Sequence, residues 1–327
     1  MNIQSQVDLW FDDYNRRAAA RLDAVPALRG LYEPVYYTIS QHGKQLRPTL
    51  MLCGNQLFGG NPDDVREAAI GIELFHNFTL IHDDLMDKSP LRRGLPTVYS
   101  KWNANTAILS GDAMFSLAWQ QMIAHQHTAT PQVLQCFNQT ATLVYEGQQY
   151  DMDFENLPQV SLDQYLEMIK LKTAVLLAGA LKIGALYAGA DANEIELLYQ
   201  TGIDMGLAFQ LQDDLLDAYG NTATLGKQTA QDIRDNKKTY LYIKALSLAD
   251  NTQKEQLKTI FTHQDKSEAE MQQVLDIYSQ LGIRQQTEKA IVEHTEQALS
   301  SLSKINTDEK RKDVLHNLIT SLLNREK

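Results

Sequence analysis

The sequence predicts an all-α fold: a single large bundle of antiparallel helices around a central cavity, with 1–327 as one domain. Three observations predict it. All eight prolines lie at or before Pro158, so the second half of the chain has no residue that breaks a helix by sterics. The β-branched residues show little strict alternation. Apolar residues instead recur at helical spacing over 64–86 (Ala69, Ile72, Phe75 or His76, Thr79, His82 or Asp83, Met86) and over 194–217 (Ile195, Leu198, Gly202, Met205, Phe209, Leu216).

The helix ends are signalled locally. Asn61-Pro62 and Thr130-Pro131 each read as an N-cap followed by a first-turn proline, and Ser161 with Gln164 has capping-box spacing. Gly220 and Pro90 follow the two apolar stretches as stops. The segment TAVLLAGAL (173–181) predicts a central helix apolar nearly all round, and the stretch from about residue 250 onward is more polar and peripheral. No Ser/Gly/Pro-rich tract or block of like charge marks a linker, which argues for one domain.

Of 327 residues, 43% are hydrophobic, 22% charged and 8% aromatic, a globular and water-soluble balance. The net charge of −11 argues against nucleic acid as a partner, because phosphate backbones are held by basic patches. MNIQSQVDLWFDDYNRR carries acids early and has no apolar core, so it predicts no signal peptide, and TAVLLAGAL is too short to span a bilayer. The chain is expected to be cytoplasmic, with Cys53 and Cys136 as reduced thiols outside any metal-like spacing.

Both long apolar stretches end in acid: HDDLMD brings Asp83, Asp84 and Asp87, and QDDLLD brings Asp213, Asp214 and Asp217. On a helix the first and fifth residues of DDxxD share a face, so Asp83 pairs with Asp87 and Asp213 with Asp217. Bare, such pairs repel and raise each other's pKa. One reading is a solvated acidic helix end. The repetition on two apolar helices favours instead oxygen ligands for Mg²⁺, which keeps waters and bridges to substrate phosphates. Calcium is disfavoured because nothing resembles an EF-hand loop. Arg92 and Arg93 follow the first cluster, and guanidinium groups grip phosphate bidentately. Lys44 and Arg47 in GKQLRP sit near each other if that segment is helical; Lys172-Thr173, Lys227 and Lys237 add more basic groups. Singly these read as surface charges; jointly they suggest a second anionic group to be held.

With GKQLRP, HNFTLIHDDLMD, RRG, GQQYD, KT, FQLQDDLLD and GKQTAQDIRDNK in this order, the sequence resembles the trans-isoprenyl diphosphate synthases of the polyprenyl synthetase family over nearly its whole length. The resemblance implies the isoprenoid synthase-like helical fold and a prenyltransferase that condenses isopentenyl diphosphate with an allylic diphosphate (C5–C15), head to tail, to a trans product of C15–C20. It implies about three Mg²⁺ ions per site. Asp83, Asp87, Asp213 and Asp217 form the implied metal set, the first three as direct ligands and Asp217, like Asp84, in support. Arg92, Lys172, Lys227 and Lys237 would contact the allylic diphosphate; Lys44, Arg47, His76 and Arg93 would hold isopentenyl diphosphate. Thr173 and Gln210 would face the developing cation, and Asp84 and Asp214 are grouped with them and Lys172 as catalytic. Gln148 and Asp151 match the GQxxD motif and rank as supporting. Phe75, Phe78 and Thr79, before the first DDxxD, would set the floor of the product cavity. Glycine often stands in the family where this chain has Ala230. A homodimer is the family's usual state, and Arg325 and Lys327 resemble the basic termini that close over the site in some short-chain members.

Two other readings share the aspartates. A terpene synthase usually carries a different second metal motif and would leave Lys44, Arg47 and Arg93 without work. A non-catalytic regulatory subunit of a heteromeric prenyltransferase usually has degraded aspartate motifs, whereas both are whole here. A plain cation-binding helical protein would not explain the basic residues.

Overall fold

The computed structural model describes residues 2–41, 43–220 and 230–323. The fold is all-α apart from one short hairpin. In order the elements are α1 (Ile3–Ala24), α2 (Arg29–Ile39), α3 (Leu46–Leu57), α4 (Arg66–Met86), β1 (Leu91–Arg92), β2 (Leu95–Pro96), α5 (Val98–Lys101), α6 (Ala104–Met122), α7 (Thr130–Asn156), α8 (Leu162–Ile169), α9 (Val175–Tyr187) and α10 (Ala192–Tyr219). Then follow α11 (Gln231–Arg234), α12 (Tyr240–Leu248), α13 (Asn251–Ile260), α14 (Glu268–Gln280), α15 (Ile283–Lys304) and α16 (Glu309–Leu323). Among the described residues no helix is long and apolar enough to cross a membrane.

The chain divides into two compact units: Met1–Asn138 with Gly179–Ile195, and Gln139–Ala178 with Glu196–Lys327. The core of the first gathers Val7, Trp10, Leu50, Met51, Leu52, Ile70, Ile72, Leu74, Phe75, Met114, Met122 and Phe137. The core of the second is built on Leu171, Ala174, Met205, Leu211 and the inward faces of α12 to α16, with Tyr278 fully enclosed. Those last helices are amphipathic rather than apolar all round, which fits their more polar sequence. Both cysteines are free and buried, and burial pushes the Cys53 thiol up to about 12.

Several caps are as the sequence predicts. The Asn61 side chain accepts from the Asp63 amide at 3.2 Å ahead of α4, and Ser161 and Gln164 form a reciprocal capping box on α8. Gly220 follows α10, its amide bonded to the Leu216 carbonyl at 2.8 Å. Thr130 departs from expectation: it is the first residue of α7, and its hydroxyl accepts from the His127 amide at 3.0 Å and donates to the His125 carbonyl at 3.2 Å. The side chain therefore fastens the preceding loop instead of capping the helix.

The buried face of α4 also differs from the predicted stripe. Ala68 to Phe75 are buried all round, and the stripe then continues through Phe78, Ile81 and Asp84, leaving Met86 half exposed. Steps of three residues advance the stripe around the helix. The inward aspartate is therefore the middle one of DDLMD.

Candidate active site

The first unit builds one set of predicted residues around the end of α4. That end closes as a Schellman motif: Lys88 adopts φ 52°, the Ser89 amide reaches the Asp84 carbonyl at 2.9 Å, and the Lys88 amide reaches the Leu85 carbonyl at 3.3 Å. The chain then forms the β1–β2 hairpin, pairing Leu91 with Pro96 and Arg92 with Leu95. Its two turn residues, Arg93 and Gly94, both have positive φ (53° and 76°), as a type I′ turn requires. Arg92 is thereby returned to the aspartates. Its Nε donates to Asp84 Oδ1 at 2.8 Å, and its terminal nitrogen reaches Asp83 Oδ2 at 3.3 Å. The acidic turn thus has a basic partner, supplied from eight and nine residues downstream. Asp84 is buried, and that burial pushes its carboxyl up to about 6 despite the Arg92 contact. Asp83 is half-buried and Asp87 exposed.

The GKQLRP segment is only partly helical. α3 begins at Leu46, and Gln45 ahead of it is left-handed with φ 46°, so Lys44 lies outside the helix and the predicted helical pairing of Lys44 with Arg47 does not form. Lys44 is exposed and Arg47 half-buried. His76, half-buried on α4, is held neutral: withdrawal of the ring from water, then Arg47, Arg93 and Arg92, push it well below the usual range. Three guanidinium groups therefore act on one imidazole. Arg93 is exposed along part of its length, yet a Cβ at Gly43 would stand 2.8 Å from its guanidinium, so its tip lies on that glycine.

Of the three predicted floor residues, Phe75 and Phe78 share an aromatic cluster. Their rings are 5.7 Å apart, Phe115 stands 6.1 and 5.2 Å from them respectively, and Phe137 and Trp119 continue the set. Phe78 also meets the His82 ring edge-on at 4.8 Å. Thr79 is half-buried, and its hydroxyl donates to the His76 carbonyl at 2.8 Å.

The second unit gathers another set around one cavity, whose lining includes Asp151, Tyr165, Lys172, Thr173, Gln210, Asp214, Asp232 and Lys237. Between α8 and α9 the chain makes a π-helical turn, Lys170–Ala174, a form that recurs at functional sites. A Cβ at Gly147 would come 2.3 Å from the Lys172 amide, so only glycine lets α7 approach this turn. Lys172 Nζ donates to Asp151 Oδ2 at 2.6 Å, giving the GQQYD aspartate a defined place; Gln148 is half-buried nearby on α7. A chain of hydrogen bonds then crosses to α10. Thr173 Oγ1 donates to Gln210 Oε1 at 3.0 Å, Gln210 Nε2 to Asp214 Oδ1 at 3.1 Å, and the Tyr165 hydroxyl to Asp214 Oδ2. Asp214 is buried, and burial pushes its carboxyl up to about 7 against these two donors. Asp213 and Asp217 are half-buried on the same helix. Asp217 is tied to the start of α11, where Ala230 and Asp232 donate their amides to its carbonyl and carboxylate at 2.7 and 2.9 Å. Asp232 is a second carboxyl forced well above its usual range, by withdrawal from water and then by Asp217 and Asp214. Lys238 donates to the Phe154 and Glu155 carbonyls at 2.7 and 3.1 Å.

Lys227, Arg325 and Lys327 lie outside the described residues. Sequence reasoning missed Glu73, Tyr165, Asp232 and Lys238. Each had a signal: Glu73 is a carboxylate inside an apolar helix face, Tyr165 lies two helical turns before Lys172, and Asp232 and Lys238 flank the DIRDNKK stretch.

Among the described residues no group of three or more His, Cys, Asp or Glu side chains stands assembled as a cage for a metal ion. That suits an ion such as Mg²⁺, which takes one or two carboxylates from each element and completes its shell with water and phosphate.

The comparisons agree with this chemistry. The family model described as polyprenyl synthetase matches residues 29–278. Geranylgeranyl diphosphate synthase of Sulfolobus acidocaldarius is 36% identical over 257 residues, covering 77% of this chain and 78% of that protein. A short chain isoprenyl diphosphate synthase of Methanothermobacter thermautotrophicus is 35% identical over 276 residues, 84% of each. A crystal structure of a geranylgeranyl pyrophosphate synthase superimposes with a TM-score of 0.92 at 40% identity, covering 100% of both chains. With three quarters of its length inside the family model and its motifs in the same order, the chain belongs to the polyprenyl synthetase family.

Proposed function

We propose that this prenyltransferase condenses isopentenyl diphosphate with an allylic diphosphate of C5–C15, releasing inorganic diphosphate and a trans product of C15–C20. The observation that carries the reading is the cavity in which Lys172, Thr173, Gln210, Asp214 and Lys237 meet, in a chain whose family performs this chemistry. Asp83, Asp87, Asp213 and Asp217 hold Mg²⁺, with Asp84 buried behind the first pair. The metal supplies countercharge to the leaving diphosphate.

The chain's own residues do the rest. Arg92, Lys172 and Lys237, with Lys227, bind the allylic diphosphate. Arg92 and Lys172 are already held by Asp83, Asp84 and Asp151, so binding exchanges a carboxylate partner for a phosphate one. The basic groups favour the state in which the C–O bond has broken and negative charge sits on the leaving group. Thr173 Oγ and the Gln210 carbonyl, fixed by their mutual bond, turn oxygen toward the allylic cation. Apolar walls keep water from quenching it. Lys44, Arg47, His76 and Arg93 hold isopentenyl diphosphate, whose double bond attacks. His76 does so as a neutral imidazole. The released diphosphate takes the proton. Phe75, Phe78 and Thr79 limit product length. A homodimer in the cytoplasm is the expected working state.

The test is purified protein with Mg²⁺, labelled isopentenyl diphosphate and C5, C10 or C15 primers, with chain length read by chromatography. Incorporation of label into C15–C20 diphosphates supports the reading. Turnover of farnesyl diphosphate alone to a hydrocarbon would replace it with a terpene synthase.

A further inference from the structure

Glu73 sits in α4 one turn before His76, only 6% exposed, among the most apolar residues of the first unit. Its Oε2 has no hydrogen-bond partner among the described residues. A carboxylate taken from water in this way is costly unless positive charge compensates it. The compensating charges are Arg47 and Arg93, which reach it from two different elements, α3 and the hairpin turn. Asn77, 7% exposed and one turn further along α4, steadies the same face and donates to the Glu73 carbonyl at 2.8 Å.

The surroundings say why a buried anion is useful here. Arg47, Arg92 and Arg93 crowd around His76, which is neutral and cancels none of their charge. Arg92 has its own carboxylates in Asp83 and Asp84. Arg47 and Arg93 share Glu73. Arg93 also starts from a strained left-handed backbone, φ 53°, and reaches back to lie on Gly43. Two flexible guanidinium groups of like charge would repel one another and splay without an anion between them and the core. We propose that Glu73 is a positioning residue: its buried carboxylate holds Arg47 and Arg93 as a preformed pair to receive the diphosphate of isopentenyl diphosphate. The inference rests on the reading that these arginines bind that substrate. Preorganised donors bind more tightly because less freedom is lost on association.

The experiment compares steady-state kinetics of the full chain and of Glu73→Gln, Glu73→Asp and Arg93→Ala, varying each substrate separately. Glu73→Gln keeps shape and removes charge. It is expected to raise KM for isopentenyl diphosphate about tenfold, the scale of one charge-assisted contact. KM for the allylic substrate and kcat at saturation should stay within about twofold on the same scale. Glu73→Asp, which keeps the charge, should recover part of the loss. A merely structural role would disturb both substrates alike, so equal rises in both KM values overturn the proposal, as does an unchanged or lowered KM for isopentenyl diphosphate. Arg93→Ala separates the two levels. If it raises KM for isopentenyl diphosphate while Glu73→Gln does not, the positioning role falls alone. If it moves neither KM, the substrate assignment of the arginines falls. Where Glu73→Gln fails to fold by circular dichroism, the Glu73→Asp kinetics decide by the same split.

Discussion

Replacing Tyr165 by Phe removes one oxygen from the second unit, and its effect should depend on pH in a calculable way. Tyr165 is 2% exposed and donates to Oδ2 of Asp214, itself 4% exposed. Asp214 is pushed from 3.8 up to about 7, so the folded chain holds this proton more tightly than the unfolded chain does. The stability it contributes is therefore fully present below about pH 4 and is lost as pH rises through about 7. Tyr165 is one of two donors that oppose the upward push. Without it the folded pKa should rise further, by about one unit for a bond worth roughly 1.4 kcal/mol to the ionised form. At pH 5 the carboxyl is protonated in both proteins, and the variant loses an ordinary buried hydrogen bond of about 1 kcal/mol. At pH 8.5 it loses that and about 1.4 kcal/mol more. Unfolding entropy of about 2.1 cal/mol/K per residue gives roughly 0.7 kcal/mol/K for a chain of 327 residues, so Tm should fall by about 1.5 °C at pH 5 and about 3.5 °C at pH 8.5. Scanning calorimetry in excess chelator reads this without interference from bound metal. A difference equal at both pH values, or smaller at pH 8.5, would refute the argument that Tyr165 stabilises the ionised carboxylate.

Three other perturbations follow from particular contacts. Phe78→Ser takes a ring out of the cluster with Phe75, Phe115 and His82, so products should lengthen by one or more C5 units on radiochromatography while stability falls by roughly 3–5 kcal/mol; unchanged chain length would remove Phe78 from the cavity floor. Ala230→Gly relieves a left-handed residue at φ 60° and should raise stability by about 1 kcal/mol, seen as a rise in Tm of about 1–2 °C; a drop would mean that the methyl, 4% exposed with its residue, matters more than the strain. Asp151→Asn takes the carboxylate from Lys172, 2.6 Å away, and should raise KM for the allylic substrate about tenfold with little change for isopentenyl diphosphate; the reverse pattern would reassign Lys172.

The helices were legible because their signals are local and periodic. Apolar spacing, Asn61-Pro62 and the Ser161–Gln164 box each act within a turn or two, and the structure uses all three. Thr130 misled because a threonine before a proline can bond forward into its helix or backward into the loop, and His127 and His125 settle the choice by their placement. The inward turn of Asp84 was beyond local reading for a related reason. Three- and four-residue steps are equally good helical spacing, and only the packing of the first unit decides which stripe is buried.

The site residues were legible as residue types but not as partners. Arg92 with Asp84 spans eight positions and could be guessed; Tyr165 with Asp214 spans forty-nine and could not. The missed residues, Glu73 and Tyr165, are not the ones that meet substrate in this reading but the ones that hold the others. Backbone strain marks the same places. The non-glycine residues with positive φ among the described positions are Gln45, Lys88, Arg93, Ala230 and Asn236, and each lies within or directly beside one of the quoted motifs. Holding an L-residue in that region costs on the order of 1 kcal/mol, and such strain persists where the surroundings over-determine it. At Gln45, Arg93 and Ala230 the strained residue redirects the chain just where a basic or acidic side chain must be aimed, and regular helix cannot make such turns. The cost is thus concentrated at the joints between helices and motifs, and Ala230, where the family often has glycine, is the joint at which a single substitution can remove it.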